Sequence, residues 1–194
     1  MNARRSPLAA GVLAAALALG GCAAGADDPH AGHGAEGSEP AAATANPADV
    51  MFAQMMIPHH EQALVMSEIV LDEPGLDAEV AALAEQIRDA QAPEIAQLED
   101  WLEAWGEPRE APAGHAHGMD GMLSEAQLDE LEAADAEAAS TLFLEQMIAH
   151  HEGAVAMAQE HLAAGAHEGA LALSQQIVDG QTAEIERMRE LLGG

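Results

Sequence analysis

Apolar positions along this chain recur with the spacing of amphipathic helices, and the clearest stretch occurs twice. Residues 52–66 read FAQMMIPHHEQALVM and residues 143–157 read FLEQMIAHHEGAVAM. At an offset of 91 residues, Phe52, Met56, Ile57, His59, His60, Glu61, Ala63 and Met66 meet identical residue types at Phe143, Met147, Ile148, His150, His151, Glu152, Ala154 and Met157. A helical advance of about 100° per residue puts Met56, His59, Ala63 and Met66 within roughly 80° of one another, so two thioethers and an imidazole share a face. His60 lies about 100° round from His59 and must address a different neighbour.

The same reading lays out the rest of the chain. A first long helix starts at Asn46-Pro47, a good cap followed by a good first-turn residue, and runs to about Leu71, with a kink expected at Pro58. A second spans about Ala78 to Trp105 and stops at Gly106. Its stripe mixes Ile87, Leu98 and Trp101 with Gln91 and Glu94, and a later stripe repeats it as Ile177, Gln181, Glu184, Ile185, Met188 and Leu191. Between the halves, residues 107–135 form a crossover in which Ser124-Glu-Ala-Gln127 opens a short helix. Two further long helices cover about Ala136 to Ala164 and Glu168 to Leu192. Gly153 stands where the first copy has Gln62, a position that would admit a close neighbour. The fold expected is all-α: a four-helix bundle of ferritin-like connectivity, built from two repeated helical hairpins with a long crossover containing a short helix. Repeat one is residues 46–106 and repeat two residues 136–194, related by a pseudo-twofold axis that brings the two His-His pairs together if the first and third long helices are neighbours.

The start of the chain has a different character. Arg4 and Arg5 precede an apolar run from Leu8 to Leu19 that ends in Leu19-Gly20-Gly21-Cys22. This reads as a lipoprotein-type secretory signal over residues 1–21, too short to span a bilayer, with Cys22 as the lipidation site. The alternative is a free cysteine beside an ordinary cleavage site. Residues 22–45, rich in Ala, Gly, Asp, Pro and Glu, then form a tether that cannot build a core, on which His30 and His33 are a solvated pair or, alternatively, a loose metal catch. The protein is therefore expected to be exported and anchored in a membrane through lipid, on the outer face of the cytoplasmic membrane, at the cell surface or in the periplasm.

Beyond the leader, four arginines and no lysine face 34 acidic residues. Such a surface repels nucleic acid and attracts cations, although solubility in a salty medium would explain it as well. Aromatic residues make up 2% of the chain, which leaves little material for base- or sugar-stacking surfaces.

Thioether and imidazole together suit a soft or borderline cation: Cu(I) first, Ag(I) close behind, with Cu(II) or zinc accessible through histidine and carboxylate. A methionine stripe alone is more often core than ligand, because methionine fills gaps. Four imidazoles placed by symmetry in a core, however, are costly to desolvate without partners. Glu94 and Glu184, with Gln91 and Gln181 on the same stripes, are candidates to hold those rings from behind; otherwise the carboxylates reach water at the end of the core. The carboxylate-bridged di-iron alternative wants Glu-x-x-His on two helices, and no histidine here has Glu three residues before it. His161, which extends the second stripe, and His115, His117, Met119 and Met122 of the crossover are auxiliary metal candidates.

The doubled pattern Met-Ile-x-His-His-x-x-Ala-x-x-Met, followed each time by Gln-x-x-Glu-Ile, with Gly118-Met119-Asp120-Gly121-Met122-Leu123-Ser124 between, resembles the domain-of-unknown-function family numbered 305. The resemblance covers about Asn46 to Leu192. It implies a ferritin-like helical fold and a secreted or lipid-anchored bacterial protein, some relatives of which are linked to periplasmic copper binding and tolerance. It also implies a metal set of His59, His60, Met56 and Met66 with His150, His151, Met147 and Met157. The function expected is a non-enzymatic copper-binding lipoprotein that sequesters or hands on the metal. The alternatives are a metal-dependent redox enzyme on the same bundle, or a metal-free interaction module whose histidines serve the core.

Overall fold

The computed structural model describes residues 44–111 and 120–193. The leader, Cys22, the tether with His30 and His33, and the crossover residues His115, His117 and Met119 lie outside the described residues. Five helices follow one another: α1 Pro47–Leu71, α2 Ala78–Trp105, α3 Glu125–Glu132, α4 Ala136–Ala164 and α5 Glu168–Gly193.

Local chemistry sets each boundary. The Asn46 side chain accepts from the N–H groups of Ala48 and Asp49, and the Asp49 carboxylate accepts in return from the Asn46 N–H at 2.6 Å. Asp77 caps α2 and Asp135 caps α4 in the same way. Gln127 accepts from the Ser124 N–H at the start of α3, and His167 Nδ1 accepts from the Ala170 N–H at the start of α5. At the end of α2, Gly106 takes φ +73°, a left-handed conformation that glycine adopts without steric cost. Neither Pro58 nor Pro93 terminates its helix, so the disturbance expected at Pro58 leaves α1 running to Leu71.

The helices pack as two hairpins, α1 on α2 and α4 on α5; α1 also lies against α4, α2 more lightly against α5, and α3 touches α1 and α4. The bonds Asn46–Ala164 and Asp49–His161, with the His59–His150 ring contact further along, advance on α1 while receding on α4, so these two helices are antiparallel. The interior consists of two apolar clusters. One gathers Met66, Val70, Val80, Ile87, Phe143, Met147 and Met188, and the other Phe52, Met56, Ile57, Leu98, Ala158 and Ile177. Among the buried polar side chains of the interior are His59, His60, His150, His151, Gln91 and Gln181.

The two halves differ at one end. Where the first repeat has Val70 and Ala84, the second has His161 and Ser174, and Asp49 corresponds to Ser140. His161 Nε2 meets Asp49 Oδ1 at 2.8 Å, its Nδ1 meets Ser174 Oγ at 2.6 Å, and its ring stacks on Phe52 with centroids 4.2 Å apart. Asp49 further accepts from the N–H groups of Ala166 and His167. Desolvation alone would raise its pKa, but the bonds from the Asn46 N–H, His161 and the His167 and Ala166 N–H groups outweigh it and hold the carboxyl below its usual range. Both ring nitrogens of His161, an auxiliary metal candidate by its stripe, are hydrogen-bonded here and fasten the start of α1 to the α4–α5 turn.

Outside, Arg109 bonds Glu61 and Glu99, Arg187 bonds Glu79 and Glu190, Arg189 bonds Glu152 and Arg88 bonds Asp89. These exposed pairs contribute little individually and leave the surface acidic. Among the described residues no helix is long and apolar enough to cross a membrane.

Two substitutions test this fold. Asp49→Ala leaves His161 and three backbone N–H groups without their acceptor and should lower unfolding free energy by about 3–5 kcal/mol in a denaturant titration. Gly180 lies exposed inside α5 with nothing within 4 Å of an added Cβ, so Gly180→Ala should raise stability by about 0.5–1 kcal/mol.

Candidate metal centre

The repeated His-His pairs meet at the middle of the α1–α4 contact. His59 and His150 face each other with ring centroids 3.8 Å apart and planes inclined at 39°. His151 lies beside them, its centroid 6.4 Å from that of His150. All four paired histidines are fully buried. The 100° rotation between consecutive helix positions explains the division of labour: His59 and His150 look across the pseudo-twofold, while His60 and His151 turn toward the second helix of their own hairpins.

There each meets a carboxylate. His60 Nε2 lies 2.8 Å from Glu94 Oε2, and His151 Nε2 lies 2.8 Å from Glu184 Oε2. An ionised carboxylate only accepts, so each of these bonds is donated by Nε2–H. Glu94 and Glu184 are 22% and 13% exposed, so each reaches from solvent to a wholly buried ring. Gln86 adds a 3.0 Å bond to Glu184.

The remaining imidazole nitrogens have no partner. Both nitrogens of His59, both of His150, and Nδ1 of His60 and His151 are buried and unbonded, as are the amide atoms of Gln91 and Oε1 of Gln181. Burying an unpaired polar atom is unfavourable, and native proteins do so sparingly. Desolvation is the main reason that the His59 pKa falls from 6.5 to about 3; the charge that His60 would carry lowers it further, the Asp120 carbonyl opposes the fall, and the charge that His151 would carry adds to it. The His150 pKa also lies well below the ordinary value, through desolvation first and then through His59, His151 and His60. Near neutral pH these rings are uncharged bases.

Met56, Met66 and Met147 are fully buried and Met157 partly so. Met56 and Met157 belong with one apolar cluster, Met66 and Met147 with the other, so each cluster receives one methionine from α1 and one from α4. Among the described residues no three His, Cys, Asp or Glu side chains are arranged to hold a metal ion. The donors present are imidazoles, with thioethers in the two apolar clusters of the interior, which suits soft ions that accept few ligands. Six unpartnered nitrogens and two carboxylate-backed rings fit such an ion; they do not form a carboxylate-rich di-metal site.

Sequence reasoning missed Asp49, Ser174 and the backbone of Asp120. An acid in a first helical turn ordinarily signals only capping. For Asp120 the one signal was Gly153, whose missing side chain makes room for its carbonyl.

The family model for DUF305, a domain of unknown function, matches residues 49–192. Among solved structures, a DUF305 fragment from Deinococcus radiodurans is 38% identical, covering 77% of this chain and 97% of its own, with a TM-score of 0.70. A DUF305 protein of Streptomyces coelicolor described as secreted is 34% identical over 75% of this chain and 91% of its own, with a TM-score of 0.72. CopM in its Cu(I)-bound form is 30% identical over 74% of this chain and 94% of its own, with a TM-score of 0.62. CopM also has Cu(II)-bound, silver-bound and apo structures. No curated protein matches.

The ring environment predicts a pH dependence for the metal-free protein. His59 and His150 take up protons on unfolding and resist them when folded. Their contribution is therefore complete above the ordinary value of 6.5 and is lost as pH falls toward the folded value, about 3 for His59. Stability should decline between these limits by up to about 1.4 kcal/mol per pH unit for each ring. Thermal unfolding across that range, repeated on a His59→Gln/His150→Gln variant, should show a shallower slope in the variant.

Proposed function

The chain belongs to the DUF305 family, and from that membership we propose that it is a copper-binding protein of the extracytoplasmic space, with silver able to take the same site. The observation that carries the reading is the set of six buried, unpartnered imidazole nitrogens on His59, His60, His150 and His151. The copper- and silver-bound forms of CopM support the choice of ion, and the secreted relative supports export. We further assign Cys22 as a lipid attachment point, following the Leu-Gly-Gly-Cys sequence that ends the leader.

On this reading the chain binds rather than transforms. Glu94 and Glu184 keep Nε2 of His60 and His151 protonated, which leaves Nδ1 as the donor atom and makes it more basic. His59 and His150 are neutral near pH 7, so no proton need be displaced from them before they donate. Met56, Met66, Met147 and Met157 lie in the two apolar clusters of the same interior, and their polarisable thioethers would favour the lower copper oxidation state. Zinc would find only the imidazoles and carboxylates attractive and should bind more weakly. The acidic exterior concentrates cations near the protein.

Thermal unfolding with and without Ag(I), a redox-inert counterpart of Cu(I), tests the proposal. The midpoint should rise with ion concentration, each tenfold excess over the dissociation constant adding about 1.4 kcal/mol. Replacement of His59, His60, His150 and His151 by glutamine should abolish the rise. An unchanged midpoint in the wild-type protein would overturn the reading and leave the histidines as core architecture.

A further inference from the structure

Residues 120–123 lie along the α1–α4 pair as a strap, and both helices grip their backbone. On the α1 side, the Gln62 amide donates to the Leu123 carbonyl at 2.9 Å and accepts from the Leu123 N–H at 2.7 Å. On the α4 side, Gly121 has φ +86° and lies so close that an added Cβ would overlap the Ala149 carbonyl oxygen and stand 3.1 Å from His150 Cα. Gly153 makes the matching allowance within α4. A Cβ there would overlap the Asp120 carbonyl oxygen, and that same point is 3.3 Å from His59 Nε2. Asp120 is exposed while His59 and His150 are fully buried, so the strap runs from the buried ring pair to the surface.

Positions 62 and 153 correspond in the repeat, and their divergence is what seats the strap. Glutamine at 153 would fill the space taken by the Asp120 carbonyl. Glycine at 62 would leave the N–H and C=O of buried Leu123 without their partners.

We propose that residues 120–123 are the gate of the histidine cluster: His59 and His150 become accessible by local release of this strap, with Gln62 as its latch and Gly153 as its seat. The routes past His60 and His151 are closed by Glu94 and Glu184, which are rooted in α2 and α5 and pinned to the rings. Releasing the strap breaks two hydrogen bonds and a local backbone contact; opening the hairpins separates packed helices. Local opening of the first kind is the less costly event. For the ion-binding reading above, on which this consequence rests, the strap governs the rates of loading and release while the ligands govern affinity.

Access can be measured without metal. The intact, metal-free chain is treated with diethyl pyrocarbonate near pH 7, where these imidazoles are neutral, and carbethoxylation is followed residue by residue by peptide mass spectrometry. Gln62→Leu removes the latch and Gly153→Ala obstructs the seat. Each should speed modification of His59 and His150 by about tenfold, the scale expected when a locally opening segment loses a hydrogen bond or two. Ile87→Val, a core change in α2, should leave the rates unchanged. Wild-type rates in both strap variants, equal acceleration by Ile87→Val, or acceleration only by Glu94→Gln or Glu184→Gln would overturn the gate. Repeating the experiment with Ag(I) separates the two readings. Protection of the rings, gained faster in the strap variants but to the same final extent, supports both. Absence of protection in every variant removes the ion-binding reading, and the metal-free rates still decide the gate.

Discussion

Everything at the centre of this protein depends on keeping four imidazoles out of water without giving most of their nitrogens a partner. An unpaired buried nitrogen is unfavourable, and such a cluster persists only because the apolar clusters pack firmly enough to hold it. The carboxylates of Glu94 and Glu184 make the arrangement specific. They anchor one ring in each repeat by Nε2, fix its tautomer, and leave the facing His59 and His150 with no anchor of their own. Neutral, desolvated bases held in advance of a ligand are what a soft-ion site requires, and the same desolvation makes the metal-free fold acid-sensitive.

The internal repeat supplies the symmetry of that centre, and its breaches supply the rest. Glutamine at 62 and glycine at 153 let one crossover strap lie against both helices, which a symmetric pair of residues could not accommodate. Val70 and Ala84 give way to His161 and Ser174, so one end of the interior is apolar while the other is tied by hydrogen bonds through Asp49. That tie lies where α1 begins, the point at which the preceding segment of chain joins the helices.

Histidine accordingly performs two different tasks in one interior. His161 has both nitrogens bonded and a ring stacked on Phe52, and it fastens helices. His59 and His150 have neither nitrogen bonded and face each other across the pseudo-twofold. Helical spacing placed His161 on the same stripe as His150, yet about three turns along one helix the same residue type changes from a candidate ligand to a structural ring. Available lone pairs distinguish the two, and stripe membership does not.

The sequence alone determined the helices and their ends. Caps such as Asn46, Asp77 and Gly106 act on their own neighbours, and apolar periodicity survives without knowledge of the partner helix. The repeat also pointed to a meeting of the two His-His pairs, and the Gln-x-x-Glu stripes to a donor for each glutamate. Only the tertiary structure decided that His60 and His151 take the carboxylates while His59 and His150 meet each other. That outcome depends on the rotation of each helix about its axis, which packing sets. It likewise decided that Asp49 serves His161 across 112 residues of sequence and that Asp120 presents its backbone to His59. Backbone carbonyls carry no residue-specific signal, and contacts so distant along the chain exist only once the helices have been brought side by side.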